Sequence, residues 1–286
     1  MTLEVPPDSI PDVRILDCAG KKLVLDRTRI MGILNLTPDS FSDGGLWLGK
    51  TAAVQHALAM QDAGADIIDV GGESTRPGAR AVSLQQELDR VIPVIESIVG
   101  QLRVPVSIDT SKPEVMREAV AAGAGMINDV CALRHDGALQ AVAELDVPVC
   151  LMHMLGDPRV MQDNPVYDDV VKDVTGFLLT RADLCKSNGV SAENIVLDPG
   201  FGFGKTLQQN IALFHALPDL IACGYPVLVG VSRKAMIGQL TGRETRGRVA
   251  GSITAAALAA QMGAAIVRVH DVAETSDALK VATALC

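Results

Sequence analysis

The chain has 286 residues, of which 48% are hydrophobic, and it carries a formal net charge of −9 at pH 7. This composition permits a sizeable core, but the acidic balance argues against nucleic acid as a partner, because no basic surface can replace the counterions of a phosphate backbone. No stretch is long enough to span a bilayer, the N-terminus lacks a signal-peptide pattern, and the six cysteines form no C-x-x-C pair, so we predict a cytoplasmic protein without a membrane partner.

The predicted elements begin with a β-hairpin at residues 15–25 that turns near Ala19 and Gly20. Eight short apolar runs follow, alternating with segments of helical period, at residues 30–36, 67–70, 104–108, 126–130, 147–152, 195–197, 227–231 and 266–269. Their average spacing of about 32 residues is the length of one βα unit. We therefore predict an α/β fold, a single (β/α)8 TIM barrel over residues 29–286, rather than an open doubly wound sheet. Residues 1–28 form a separate N-terminal segment, whose hairpin we expect to cover the barrel floor.

Capping signals mark the starts of several predicted helices. Ser83 and Gln86 have the spacing of a capping box before a stripe of apolar residues. Ser111 is expected to cap the helix that opens with Pro113, and Asp271 to cap the last helix.

Two nucleotide-binding motifs and a protein-only metal site are excluded by spacing and context. Residues 200–206 resemble a phosphate-binding loop, but Pro199 stands where the first glycine of that motif is required. The glycines at residues 123 and 125 precede a strand, whereas a dinucleotide-binding loop follows one. The histidines show no metal-ligand spacing, and three of them are expected to be ordinary surface or helix residues: His56, His135 and His215.

Polar residues end most of the apolar runs, and in a TIM barrel the chemistry lies at the C-terminal ends of the strands. These residues are Asn35, Asp109, Asn128, Asp129, Asp198, Lys234, Arg268 and His270. A buried carboxylate or amide costs several kcal/mol without a partner, so their convergence predicts a ligand with several N–H donors, such as a guanidine-like heterocycle edge. The loop at residues 70–79, VGGESTRPGA, combines glycines, hydroxyls and an arginine that could bind an anion beside it.

Eight motifs, in order from residue 31 onward, resemble those of the dihydropteroate synthase family of pterin-binding TIM barrels. They are MGILNLTPDSFSDGG (31–45), DVGGESTRPGA (69–79), SIDTSKPEVMREAVAAGA (107–124), INDV (127–130), LMHMLGDPRVMQ (151–162), LDPGFGFGKT (197–206), GVSRKAMIG (230–238) and RVHDV (268–272). The resemblance implies a transferase of folate biosynthesis that condenses 6-hydroxymethyl-7,8-dihydropterin diphosphate with p-aminobenzoate, giving 7,8-dihydropteroate and diphosphate. It also implies small-molecule substrates, Mg²⁺ and a homodimer.

The resemblance further implies roles for individual residues. Those that would hold the pterin are Asp109, Asn128, Asp198 and Lys234. Those that would shape the pocket are Met152, Phe203 and Gly230. Those at the anion site would be Thr75, Arg76, Arg268 and His270, and Asn35 would ligate the Mg²⁺. The expected catalytic set is Asp109, Lys234, Arg76 and Asp39, the last within a mobile loop at residues 37–41.

Two alternatives to this enzyme remain open. A non-catalytic pterin-binding paralogue is suggested by Ala235, because many family members have a serine here that can contact the aminobenzoate carboxylate. The pterin and diphosphate residues are all present, which argues against inactivity. The second alternative, a pterin-dependent methyltransferase domain of similar fold, is disfavoured by the TPDSF (37–41) and STRPG (74–78) loops.

Overall fold

The computed structural model describes residues 13–36, 45–74, 81–156 and 165–285. The strands in these ranges are β1 (Ile15–Cys18), β2 (Lys21–Val24), β3 (Arg29–Asn35), β4 (Ile67–Gly71), β5 (Val106–Asp109), β6 (Met126–Asp129), β7 (Val149–Met152), β8 (Ile195–Asp198), β9 (Leu228–Val229) and β10 (Ile266–Val269). The helices there are α1 (Gly45–Asp62), α2 (Leu84–Val99), α3 (Pro113–Ala121), α4 (Ala138–Leu145), α5 (Val170–Ser187), α6 (Leu207–His215), α7 (Leu217–Ile221), α8 (Ala235–Thr241), α9 (Val249–Gln261) and α10 (Val272–Leu285).

Strands β3 to β10 form one parallel sheet that wraps into a barrel. Their order is β8-β7-β6-β5-β4-β3-β10-β9, and a parallel bridge from Leu197 in β8 to Val227, directly before β9, joins the two edges. The predicted TIM barrel is therefore confirmed. Four of the eight strands, β5, β6, β7 and β9, are shorter than the apolar runs that predicted them, and β9 keeps only two residues of the run at 227–231.

The two faces of each barrel strand pack against different surroundings. Outward-facing residues such as Ile68, Ile108 and Ile127 belong to the large core shared with the helices. Inward-facing residues form a second, smaller apolar cluster on the barrel floor, whose barrel members are Met31, Ile67, Met126, Cys150, Val196, Leu228 and Ile266. Because both faces of a parallel strand are covered, these strands appear in the sequence as continuous apolar runs.

The N-terminal hairpin covers the floor of the barrel, as predicted. Strands β1 and β2 pair antiparallel around Ala19 and Gly20, which both have positive φ, and the hairpin residues Leu16, Cys18 and Leu23 complete the floor cluster. The predicted boundary between residues 28 and 29 lies after the end of β2 and directly at the start of β3; it stays a prediction.

The predicted helix caps have different outcomes. Ser83 and Gln86 make the predicted capping box at the start of α2. The prediction for Ser111 is wrong, because the N-cap of α3 is Lys112, and the Ser111 hydroxyl donates to Asp129 instead. Asp271, directly before α10, forms a salt bridge with Arg233. Among the described helices, none combines the length and apolar character needed to cross a membrane.

Candidate active site at the barrel mouth

Most of the predicted site residues are positioned by the alternation of side chains along the barrel strands. Residues two apart on a strand face the same side, so each floor residue is followed by a second inward-facing residue nearer the mouth. For β4, β6, β7, β8 and β10 these second residues are Asp69, Asn128, Met152, Asp198 and Arg268, and Gly230 follows directly after β9. The barrel interior thus changes from an apolar floor to a layer of mostly polar side chains nearer the mouth.

Arg268 lies between two buried carboxylates. Its Nε donates to Asp69 Oδ2 at 2.6 Å, and its Nη2 donates to Asp109 Oδ2 at 2.7 Å. Asn128 Nδ2 donates to the same Asp69 oxygen at 3.1 Å. Burial opposes the charge of Arg268, but Asp69 and Asp109 together raise its pKa above the ordinary value. The structure therefore shows Arg268 as an ion-pair partner of Asp69 and Asp109, and its role at the anion site stays a prediction.

Asp109 is subject to opposing influences on its pKa. Burial away from water raises the pKa of Asp109 to about 7, although the positive charge of Arg268 lowers it. The charges of Asp69, Glu87 and Asp129 add to the raising effect. A carboxylate held at this value can change its charge near neutral pH, as is common at functional sites.

Asp198 and Lys234 form a second charged pair on the other side of the barrel mouth. Asp198 Oδ1 accepts a hydrogen bond from the backbone N–H of Gly200 at 2.7 Å. Burial raises the pKa of Asp198, whereas Lys234 lowers it. Lys234 Nζ donates to the carbonyl of Phe201 at 2.6 Å, and burial lowers the pKa of Lys234 to about 8.

Apolar residues lie beside these charges. Phe203 packs against a small cluster that contains Met152 and Met154, and the Lys234 ammonium lies 4.6 Å from the centre of the Phe203 ring. A Cβ on Gly230 would lie 3.8 Å from Lys234 Nζ and 3.9 Å from Arg268 Cβ. The absence of a side chain at Gly230 therefore leaves open the space beside the Lys234 ammonium and the base of the Arg268 side chain, which suits a planar ligand.

Asn35 and Asp109 both border the space beside Gly71 at the end of β4. The position that a Cβ of Gly71 would occupy is 3.7 Å from both Asn35 Oδ1 and Asp109 Oδ2, so this glycine leaves room beside two oxygen atoms. In the part of the chain that the structure describes, no group of three His, Cys, Asp or Glu residues could hold a metal. Oxygen donors suit Mg²⁺, which commonly takes only one or two protein ligands and completes its shell with phosphates and water. Asn35 fits that pattern.

His270 lies next to Ser232 at the end of β10. Its Nδ1 is 3.0 Å from the Ser232 hydroxyl, which also accepts a hydrogen bond from the His270 backbone N–H at 3.2 Å. Asp129, another strand-end residue, does not share the inward face of its neighbour Asn128. Its carboxylate accepts from the backbone N–H groups of Cys131 and Leu133 at 2.8 and 2.7 Å, so it fixes the turn after β6.

A buried lysine that the sequence did not single out supports the loop after β8. Lys205 Nζ donates to the carbonyls of Gly200 at 2.8 Å and Phe203 at 3.0 Å, and lies 3.0 Å from His153 Nδ1. Burial lowers the pKa of Lys205 to about 7 and that of His153 to about 3. Gly200 has φ +67, and a Cβ there would lie 1.9 Å from the carbonyl oxygen of His153. Lys205 thus binds carbonyl groups of its own loop, whereas the lysine of a phosphate-binding loop contacts phosphate.

Three predicted residues, Asp39, Thr75 and Arg76, lie outside the described residues, as does the loop at 37–41. His56, His135 and His215 are exposed, as predicted. The most important residue missed is Asp69, which is 0% exposed. Its signal was present in the sequence: it is the single acid inside the apolar run at 67–70, where an uncompensated charge would be costly.

Comparison with known proteins agrees with this site. The sequence pattern of the family described as "Pterin binding enzyme" matches residues 31–270, so the chain belongs to that family. The dihydropteroate synthase of Escherichia coli strain K12 is 51% identical over 265 residues, which cover 93% of this chain and 94% of that protein. The dihydropteroate synthase of Haemophilus influenzae is 50% identical over 262 residues, covering 92% of this chain and 95% of that protein.

Solved structures give the same result. The structure of Xanthomonas albilineans dihydropteroate synthase with 4-aminobenzoic acid has a TM-score of 0.91 and 58% identity, covering 96% of this chain and 98% of that chain. The Burkholderia cenocepacia dihydropteroate synthase complexed with 7,8-dihydropteroate has a TM-score of 0.86 and 48% identity, covering 96% of each chain. Within its family the chain groups with the dihydropteroate synthases, the transferases of folate synthesis, and the predicted resemblance is confirmed.

Proposed function

We propose that this chain condenses 6-hydroxymethyl-7,8-dihydropterin diphosphate with p-aminobenzoate at the mouth of the barrel, releasing diphosphate. The observation that carries the proposal is the convergence of buried acids and an amide with two cations: Asp109, Asn128, Asp198, Lys234 and Arg268. Such a set suits a planar ring that presents both N–H donors and acceptors, because each buried polar group gains a partner when the ring binds.

The pterin would lie between Phe203 and Met152 on one side and the charged residues on the other. The Asp198 carboxylate and the Asn128 amide oxygen would accept N–H bonds from the ring, and Lys234 would donate to a ring acceptor. Asp109 would lie where positive charge develops as the carbon–oxygen bond to diphosphate breaks, and its negative charge would stabilise that state.

The condensation needs no strong general base. The aromatic amine is neutral at pH 7, so its nitrogen lone pair forms the new carbon–nitrogen bond, and the proton it then carries passes to solvent or to the departing diphosphate. Arg268 and His270, with Thr75 and Arg76, would face the departing anion. The family resemblance also implies a catalytic role for Asp39.

Asn35 would hold a Mg²⁺ ion together with phosphate oxygens of the substrate. The ion would supply positive charge that offsets the negative charge of the diphosphate. This assignment is supported by the room that Gly71 leaves beside the Asn35 oxygen. Omission of the ion should therefore weaken binding of the diphosphate substrate more than binding of the unphosphorylated pterin.

A homodimer and a cytoplasmic location complete the proposal. Exposed large apolar side chains lie on α8, α9 and α10, of which α9 packs against both of the others; they are Leu240, Leu258, Val281 and Leu285. A shared apolar surface of this kind is typical of subunit interfaces. The buried thiols of Cys18, Cys150 and Cys185, which form no disulfide, agree with a reducing compartment.

The activity can be tested with the purified protein, pterin diphosphate, Mg²⁺ and p-aminobenzoate. We expect diphosphate and 7,8-dihydropteroate to form in equal amounts, and no dihydropteroate to form when p-aminobenzoate is left out. Tight pterin binding without either product would instead favour the non-catalytic paralogue.

A further inference from the structure

Asp69 is a fully buried carboxylate in the middle of an apolar strand. It is 0% exposed and lies between Ile68 and Val70 on β4. Only one of its two oxygens has a partner among the described residues: Oδ2 accepts from Arg268 and Asn128, whereas Oδ1 accepts from none. A buried carboxylate with one unpaired oxygen is costly, and a buried ion pair is weak evidence for a gain in stability.

The chemistry of Asp69 determines which way the Asn128 amide faces. A carboxylate that is bound to an arginine can only accept hydrogen bonds, so the Asn128 atom that faces Asp69 must be the amide nitrogen. The amide oxygen of Asn128 is then directed elsewhere, as an acceptor. Without Asp69, rotation about the last side-chain bond would exchange the two atoms easily, because this torsion is broad and nearly two-fold.

Asp69 also fixes the plane of Arg268. The guanidinium is planar, and its Nε and Nη2 donate to two different carboxylates, Asp69 and Asp109. Two bonds along separate N–H directions determine the orientation of the whole group. Asp69 therefore links Asn128, at the proposed pterin site, to Arg268, at the proposed diphosphate site.

We infer that Asp69 is a positioning residue that keeps Asn128 as a hydrogen-bond acceptor toward the ligand, and thereby makes the site select ring edges rich in N–H donors. The inference rests on the proposed function, because it takes a pterin as the ligand. Because Asp69 acts on the ligand through Asn128 and Arg268, its loss should change which ring the site prefers.

The test compares two ring systems in Asp69→Leu. Leucine has the branched shape of aspartate but accepts no hydrogen bond and leaves no room for water. Titration calorimetry would measure the affinity for pterin and for lumazine, which has an oxygen in place of the pterin 2-amino group. We expect wild type to prefer pterin, and Asp69→Leu to reduce that preference by about tenfold, the size of one net hydrogen bond, because Asn128 can then turn its N–H₂ group toward the lumazine oxygen.

Two further variants serve as comparisons. Asp69→Asn keeps an acceptor oxygen for Asn128 and Arg268, so it should retain most of the preference for pterin. Ser107→Ala changes the register partner of Asp69 on β5, a buried hydroxyl with no hydrogen-bond partner among the described residues, and should leave the preference unchanged. If Asp69→Leu shows no cooperative thermal transition, Asp69→Ser takes its place, and a fall of about threefold is expected because a hydroxyl both donates and accepts.

The outcomes separate this inference from the proposed function. Equal weakening of both ligands in Asp69→Leu, or no change in either, would mean that Asp69 does not set the ring preference, and would overturn the inference. A wild-type protein that binds neither ring would instead contradict the proposed function.

Discussion

Asp109 and Lys234 have pKa values displaced toward neutrality from opposite directions, and burial is the main cause in both cases. The pKa of Asp109 is raised to about 7, and that of Lys234 is lowered to about 8. The carboxylate is charged above its pKa and the ammonium below its own, so both charges coexist only in a narrow range between these values. Their proposed roles require both charges.

The pH dependence of kcat/KM should therefore be bell-shaped. We expect kcat/KM to fall below about pH 7 as Asp109 is protonated, and above about pH 8 as Lys234 loses its proton. Steady-state rates across pH 5.5–9.5 at constant ionic strength would measure this profile. Asp109 and Lys234 influence each other's titration, so the two limbs of the pH profile report the pair. Because Lys234 is the group that loses its proton on the alkaline side, Lys234→Met should remove the alkaline limb. An unchanged alkaline limb in that variant would exclude Lys234 as its source.

Ala235 is a second single-residue test. It is the first residue of α8, directly after the N-cap Lys234, and it is exposed. Ala235→Ser should lower the KM for p-aminobenzoate, since a hydroxyl here could donate to its carboxylate, while the affinity for the pterin changes little. An unchanged KM, or an equal change for both substrates, would remove residue 235 from the aminobenzoate site.

At the scale of elements, the loop between β8 and α6 shows how backbone geometry supports the site. Three carbonyl oxygens and one ring nitrogen lie within hydrogen-bond distance of Lys205 Nζ, and the same loop carries Phe203, which faces Lys234. One buried lysine therefore joins several groups of this loop, and Asp198 and Asn210 bind two of the loop's backbone N–H groups.

Lys205→Met should loosen this loop and move Phe203. Loss of two or three hydrogen bonds should reduce the free energy of unfolding by about 1.5–4 kcal/mol, and we expect a higher KM for the pterin substrate. Thermal unfolding and steady-state kinetics would measure both. Lys172→Met, at a lysine whose side chain is 84% exposed, is the matched control and should change neither. A Lys205→Met protein with wild-type stability would contradict the proposed support.

The sequence predicted the barrel well because its signal is repeated. Eight apolar runs at one spacing, with polar residues at their ends, indicated both the fold and the mouth. Interactions between distant residues left no such signal. Ser111 has the spacing of a cap but bonds Asp129, and β9 shortens to Leu228–Val229, since strand pairing decides where a strand ends.

Arg268 illustrates the same limit at the site. The resemblance implies that it lies at the anion site, and this stays a prediction, but its two acid partners come from other strands, 199 and 159 residues away along the chain, and could not be predicted from the sequence. Asp69 is the single acid in its apolar run, but its partners Asn128 and Arg268 are likewise distant along the chain, 59 and 199 residues away. Exchange of Arg268 for a neutral residue would leave two buried carboxylates without their partner, so it cannot isolate diphosphate binding.

At the scale of the whole molecule, the exposed apolar residues of α8, α9 and α10 are the proposed dimer surface. Leu258→Glu places a charge on α9 within this surface, and we expect it to shift the protein from dimer to monomer in sedimentation velocity. Leu184→Glu, at an exposed leucine on α5, is the control and should remain dimeric. A wild-type monomer, or a dimer that Leu258→Glu does not disturb, would contradict the proposed surface.

The central claim is that the charged residues at the barrel mouth stabilise the transition state of the condensation. The most direct measurement is kcat for Asp109→Asn, together with calorimetric affinity for the pterin, because asparagine keeps the shape and removes the charge. We predict a fall in kcat of about 10²–10³ and a smaller loss of pterin affinity. A near-normal kcat would contradict the electrostatic role and leave Asp109 as a binding residue and a partner of Arg268.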